Sequence, residues 1–367
     1  MKVGLLSYHK NYNYGWNLQC YALLTVLKSM GYDVTLIDKR KFHNLTPYVR
    51  IKHAIKTMCG FFLPFGKYIS YEREQEYRGQ KLGAFFEKYI KPRTEAITSK
   101  SGYKTLPYFD ALVVGSDQVW RKNLVNPIAD YFFNFVDYPA ILISYAASFG
   151  VDYAEYSDEE VKQCGKLIEK FKAVSVREAS GVKLIKDVYK WSCNPVVMPD
   201  PTLLLSSNDY EKIIAASIQK STGLFCYILD KTEDKEKAVR KISVAYSLDT
   251  YEICLDGKEA YPSVEEWLRS FMDADFVFTD SFHGCVFSLI FRKPFIAYGN
   301  AKRGMARFIS LLKTFEQSNR LIKSSVEIDR LDQQAIRSID KKRIDVIQNN
   351  LRKKAFEFLS SNLNSES

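Results

Sequence analysis

Two patterns of hydrophobic and polar positions alternate along the chain. Short apolar runs at Val3–Tyr8, Asp33–Asp38, Ala111–Val114, Leu142–Tyr145, Ala173–Val176 and Val196–Met198 each lead into a polar or glycine-containing turn. Parallel strands buried on both faces have this character. Between the first two runs, Leu18 to Met30 has helical periodicity and stops at Gly31, so the chain opens with a βαβ unit. After "VVMPDPTLLL" the pattern begins again, with strands predicted at Leu224–Leu229, Tyr251–Leu255, Phe276–Thr279 and Phe295–Tyr298. Pro199 and Pro201 make a natural hinge there. The segmentation predicts an α/β protein with an N-terminal domain over 1–195 and a second over 196–325. A C-terminal part over 326–367 holds a helix at Leu331–Leu359 that packs back on the body, then a frayed tail.

The chain has 367 residues, more than one core usually holds, which agrees with two domains. No run of about 18 uncharged apolar residues occurs, and Met1-Lys2 leads straight into a strand, so the expectation is a cytoplasmic protein. Seven scattered cysteines, none in CxxC spacing, read as structural thiols.

Charge changes the picture once it is located. The net charge is +10, yet Lys39–Lys104 alone carries 15 Lys and Arg against 5 Asp and Glu, while the rest has 38 of each. This basic insertion, about 39–107, fits neither sheet and accompanies no nucleic-acid-binding motif, so nucleic acid is not the expected partner. A docking face for an anionic partner suits it better. Within it, "YVRIKHAIKTMCGFF" sets Ile51, Ile55, Met58 and Phe62 on one helical face flanked by Lys52 and Lys56. Such a helix either faces the core or lies on an anionic membrane surface.

The segment "DFVFTDSFHGCVFSLIFRKPFIAYG" carries the most chemistry. A strand ends at Thr279, a polar turn follows, and an apolar helix begins near Cys285. His283 thereby sits at the carboxyl edge of a sheet beside a helix N-terminus, where open α/β sheets bind ligands and free N–H groups attract anions. A second turn of this kind holds Ser116 and Asp117, and a third places Arg177 after a strand. The arginine fork suits carboxylate or phosphate oxygens. Arg303 and Arg307 add cations after His283. There is no GxxxxGK[ST], GxSxG or HExxH, and four scattered histidines argue against a metal site. The opening turn "HKNYNYGWNLQ" has one glycine, Gly15, where a dinucleotide loop has three. Asn13, Asn17 and Gln19 beside Tyr12, Tyr14 and Trp16 suit a sugar ring or buried packing.

Taken in order, "NYNYGWNLQCYALLTVLKSMGYDVTLID", "FDALVVGSDQVW", "ISYAASFG", "VSVREASG", "MPDPTLLL" and "DFVFTDSFHGCVFSLIFRKPF" resemble the bacterial polysaccharide pyruvyl transferases over about residues 1–323. The resemblance implies two Rossmann-like domains facing a cleft, as in GT-B glycosyltransferases. It implies transfer of pyruvate from phosphoenolpyruvate, a co-substrate, as a ketal onto two hydroxyls of a sugar in a surface polysaccharide or its lipid-linked precursor, with no cofactor and no metal. It marks His283 for acid/base chemistry or phosphate contact and Arg177 for the donor. Ser281, Gly284, Arg303, Arg307 and Ser116 form the expected donor surroundings; Asn13, Tyr14, Gly15, Asn17, Gln19 and Asp117 form the expected acceptor wall. Other branches carry an arginine two residues before this histidine, where Ser281 stands, and Arg303 or Arg307 is the expected substitute. A lipid-diphosphate acceptor would bring the basic insertion against the inner face of the membrane. A nucleotide-sugar glycosyltransferase and a non-catalytic sugar-binding relative are the alternatives.

Overall fold

A computed structural model describes residues 1–8, 11–42, 71–214, 222–253, 259–299 and 304–364. The amphipathic stretch at 48–62, Arg303 and the end of the Tyr251–Leu255 strand lie outside these residues.

Two separate parallel sheets form. The first contains β1 (Lys2–Leu6), β2 (Asp33–Ile37), β3 (Ala111–Val114), β4 (Ile141–Ala147), β5 (Ala173–Val176) and β6 (Val196–Val197), in the order β2-β1-β3-β4-β5-β6. Because β6 pairs with β5, the first half runs past the 195/196 boundary expected from sequence and takes in the turn at Asp200, which Ser116 and Arg177 hold. The second contains β7 (Leu224–Tyr227), β8 (Thr250–Glu252), β9 (Phe276–Thr279), β10 (Phe295–Tyr298) and β11 (Leu321–Ile322), ordered β11-β10-β9-β7-β8. Every residue of β3, β7, β9 and β10 is buried. Helices must therefore cover both faces, and each buried Val, Leu, Ile or Phe contributes roughly 1.5–3 kcal/mol.

The first helix, α1 (Tyr14–Ser29), begins four residues before the sequence reading had it. Asn13 has extended backbone and its side chain accepts the Trp16 N–H at 3.1 Å, capping the helix. Within the basic insertion, α2 (Gln80–Tyr89) buries Leu82, Phe85 and Phe86. The following segment corrects the expectation that the insertion joins neither sheet. Leu36 N–H donates to Pro92 C=O, and Thr94 and Ile97 N–H donate to Leu36 and Asp38 C=O, at 2.9–3.0 Å, so the chain runs beside the β2 edge.

The second sheet is flanked by α3 (Glu233–Tyr246), α4 (Val264–Asp273), α5 (Phe282–Ile290) and α6 (Met305–Thr314). The final helix, α7 (Lys341–Leu363), starts later and ends later than predicted. It spans the two halves: Arg292 pairs with Asp345 at 2.6 Å, whereas Gln348 Nε2 donates to Leu203 and Leu205 C=O at 3.1 and 3.0 Å. Its end reaches the first sheet's side, where Lys172 Nζ donates to Asn364 C=O.

Candidate functional site

The carboxyl ends of the two sheets face one another across a cavity of about 600 Å³. On the second domain's side, β9 ends at Thr279 and Ser281 caps α5, its Oγ accepting the Gly284 N–H at 3.3 Å. A Cβ on Gly284 would lie 2.2 Å from Thr279 Oγ1, so this glycine lets the helix close onto its strand. Asp280 accepts from Leu229 and Asp230 N–H at 2.6 and 3.1 Å and from Lys235 Nζ at 2.7 Å, which ties the β7 and β9 loops together.

His283 stands in the first turn of α5 and meets the first turn of α1 from the opposite domain. A Cβ on Gly15 would fall 2.0 Å from His283 Nδ1 and 2.4 Å from Cε1. The solitary glycine of the opening turn is thus the seat of the imidazole. Two helix N-termini, each with a partial positive charge, border the cavity at this ring.

Behind the ring lies Asp200, between the two prolines of the hinge. Its Oδ2 is 3.6 Å from His283 Nε2 and accepts from Arg177 Nη1 at 2.8 Å; its Oδ1 accepts from Thr202 N–H and Oγ1 at 3.0 and 2.7 Å. Burial pushes the Asp200 carboxyl up, but His283, Arg177 and Thr202 outweigh it and hold the group well below the usual carboxylate range. The Arg177 guanidinium is 4.9 Å from the Phe282 ring centre, and that of Arg307 is 5.6 Å from the same centre. Burial, then the like charge of Arg177, pushes Arg307 down to about 10. A cation in that state gains from an anionic ligand.

Of the residues expected from sequence, His283, Ser281, Arg307, Asn13, Gly15 and Asp117 line the cavity. Asp117 does so from left-handed backbone at φ 77°. Ser116 is buried behind, its Oγ 3.5 Å from Asp200 Oδ2. Arg177 is absent from the cavity wall and borders a smaller space of about 190 Å³ on which Phe282 and Arg307 also lie. Three expected acceptor contacts point elsewhere, because a helix sends successive side chains in different directions. Tyr14 stacks on Trp267 with ring centres 5.1 Å apart and donates to Pro262 C=O at 2.7 Å. Asn17 Nδ2 donates to Asn13 C=O at 3.1 Å, and Gln19 Nε2 donates to Ser7 Oγ at 2.8 Å, both fully buried. Sequence reasoning passed over Asp200 and Arg121; the latter lines the cavity with its Nη1 donating to Gln118 Oε1 at 2.8 Å.

The sequence profile described as polysaccharide pyruvyl transferase matches residues 13–302. No curated protein sequence matches the chain. Among solved structures, S. aureus MnaA with UDP is similar at a TM-score of 0.52 and 12% identity, over 100% of this chain and 98% of that one. A UDP-N-acetylglucosamine 2-epimerase is similar at 0.51 and 10%, over 100% and 97%. At such identity these likenesses establish the fold: two Rossmann-like domains in the GT-B arrangement.

Proposed function

The chain belongs to the polysaccharide pyruvyl transferase family, and from that premise we propose that it moves pyruvate from phosphoenolpyruvate onto a sugar of a surface polysaccharide or its lipid-linked precursor, as a ketal across two hydroxyls. The observation that supports this reading best is His283 held between two helix N-termini at a cavity that buried Arg307 also lines. Phosphate and carboxylate suit the helix ends and the guanidinium, and the histidine supplies the proton chemistry.

In this reading His283 gives a proton to C3 of the enol ether, which makes C2 electrophilic. One sugar hydroxyl adds at C2 and its proton replaces the one His283 lost. The C2–O bond to phosphate then breaks. The second hydroxyl closes the ketal at C2, and its proton leaves with hydrogen phosphate. Arg307 and the helix ends stabilise the charge on the departing phosphate. Asn13 and Asp117 on the facing wall are the polar groups offered to the acceptor. A lipid-diphosphate acceptor would engage the basic insertion at the membrane surface; among the described residues no helix is long and apolar enough to cross a membrane.

The test is incubation with phosphoenolpyruvate and a panel of lipid-linked sugars, read by mass spectrometry for a pyruvate ketal. His283→Ala should lower the rate by about 10²–10⁴-fold in a folded protein. Release of nucleoside diphosphate from a nucleotide sugar would favour a glycosyltransferase instead, and sugar binding without turnover of either donor would favour a non-catalytic relative.

A further inference from the structure

Asp200 is 1% exposed and borders only the smaller of the two spaces at the site. The groups that hold it come from the ends of three first-domain strands: Ser116 after β3, Arg177 after β5, and Thr202 after β6. Leu203 N–H also donates to its backbone carbonyl at 2.9 Å, and Tyr145 Oη donates to the neighbouring Pro199 carbonyl at 3.2 Å. The carboxylate is therefore fixed in direction before anything from the second domain reaches it. What reaches it is His283 Nε2, a buried atom with no hydrogen-bond partner among the described residues, 3.6 Å from Oδ2. A short approach turns that separation into a charge-assisted hydrogen bond. The other ring nitrogen, Nδ1, lies against Gly15, a residue that lines the larger cavity with His283, and a side chain at Gly15 would overlap it.

We propose that Asp200 is a positioning residue that holds the Nε2–H of His283, so that Nδ1 is the nitrogen that exchanges protons with the substrate. Arg177 acts at one remove, by clamping Asp200. This inference rests on the pyruvyl-transfer reading for its kinetic consequence but not for its geometry. The logic is that of a carboxylate fixing the tautomer of a neighbouring imidazole, where an amide in its place leaves the ring in the wrong tautomer.

Two measurements test it. Long-range ¹H–¹⁵N spectra of the protein without substrate read the tautomer of neutral His283. The Nε2–H form is expected, and the Nδ1–H form would overturn the proposal whether or not any variant folds. Steady-state kinetics with phosphoenolpyruvate then compare Asp200→Asn with wild type. The expected loss is about 10²-fold in kcat with the donor KM changed less than about 3-fold. In a His283→Ala background, Asp200→Asn should leave the residual rate unchanged, because its effect passes through the missing ring. Losses that multiply, or a raised donor KM with kcat intact, would assign Asp200 to general stability or to donor binding. A wild-type protein that does not turn over phosphoenolpyruvate would remove the functional reading and leave the tautomer result to be judged by itself.

Discussion

Gly15→Ala adds one methyl group at the point where the two domains meet over His283. The new Cβ would stand 2.0 Å from Nδ1 and 2.5 Å from Cγ, whereas carbon makes ordinary contact at roughly 3.5–4.0 Å. Relief therefore requires the imidazole or the first turn of α1 to move by about 1.5 Å. Overpacking of this kind costs about 1–3 kcal/mol. Against it stands the gain of about 1 kcal/mol from replacing glycine by alanine within a helix, because Gly15 is the second residue of α1. The net change in stability should be modest, from near zero to about 2 kcal/mol. Turnover should suffer far more, since a displacement of about 1 Å at reacting groups costs on the order of 10²-fold. Urea unfolding and phosphate release from phosphoenolpyruvate read the two quantities separately. A folded Gly15→Ala protein with wild-type turnover would refute the reasoning, because the ring's seat would then be irrelevant to the chemistry.

Tyr14→Phe removes the hydroxyl that donates to Pro262 C=O and keeps the ring stacked on Trp267. It should cost about 1 kcal/mol in urea unfolding and leave turnover within about twofold, in contrast to its neighbour Gly15. Arg307→Met should raise the thermal midpoint of the ligand-free protein, by relieving a penalty on the order of 1–3 kcal/mol, while abolishing protection by phosphoenolpyruvate. The sign follows from a cation whose folded pKa, about 10, lies below its ordinary value of 12.5. The penalty is fully present at pH 7 and shrinks as pH rises through about 10, so the variant's advantage should be full at pH 7 and smaller at high pH. An unchanged or lowered midpoint at pH 7 would contradict this.

The strands at Ala111–Val114, Ala173–Val176, Phe276–Thr279 and Phe295–Tyr298 were legible to the residue. Each is a short run buried on both faces and stopped by a polar turn, so local composition decides it. The start of α1 was not legible. Amides and aromatics there imitate a loop, and only the capping role of Asn13 reveals a helix. That error carried Tyr14, Asn17 and Gln19 onto the wrong wall. Asp200 was read as part of a hinge because its meaning lies in its neighbours. Arg177 is 23 positions away and His283 is in the other domain, and no local pattern announces contacts of that range. His283 itself was visible because a strand, a turn and an apolar helix are contiguous in sequence.

The histidine and both residues that define its surroundings belong to different domains: Gly15 and Asp200 come from the first, His283 from the second. Any opening of the cleft would withdraw the imidazole from its seat and from its carboxylate in a single movement. The proposed proton-transfer apparatus would therefore be a property of the two domains together, because its contacts join residues of both. Under the pyruvyl-transfer reading proposed above, such an arrangement would work as an interlock: an enol ether activated at C2 would react with whatever hydroxyl is near, and activation would be withheld until the cleft held the sugar in place of bulk water. The α7 strap, anchored to both halves, limits how far the interlock can open.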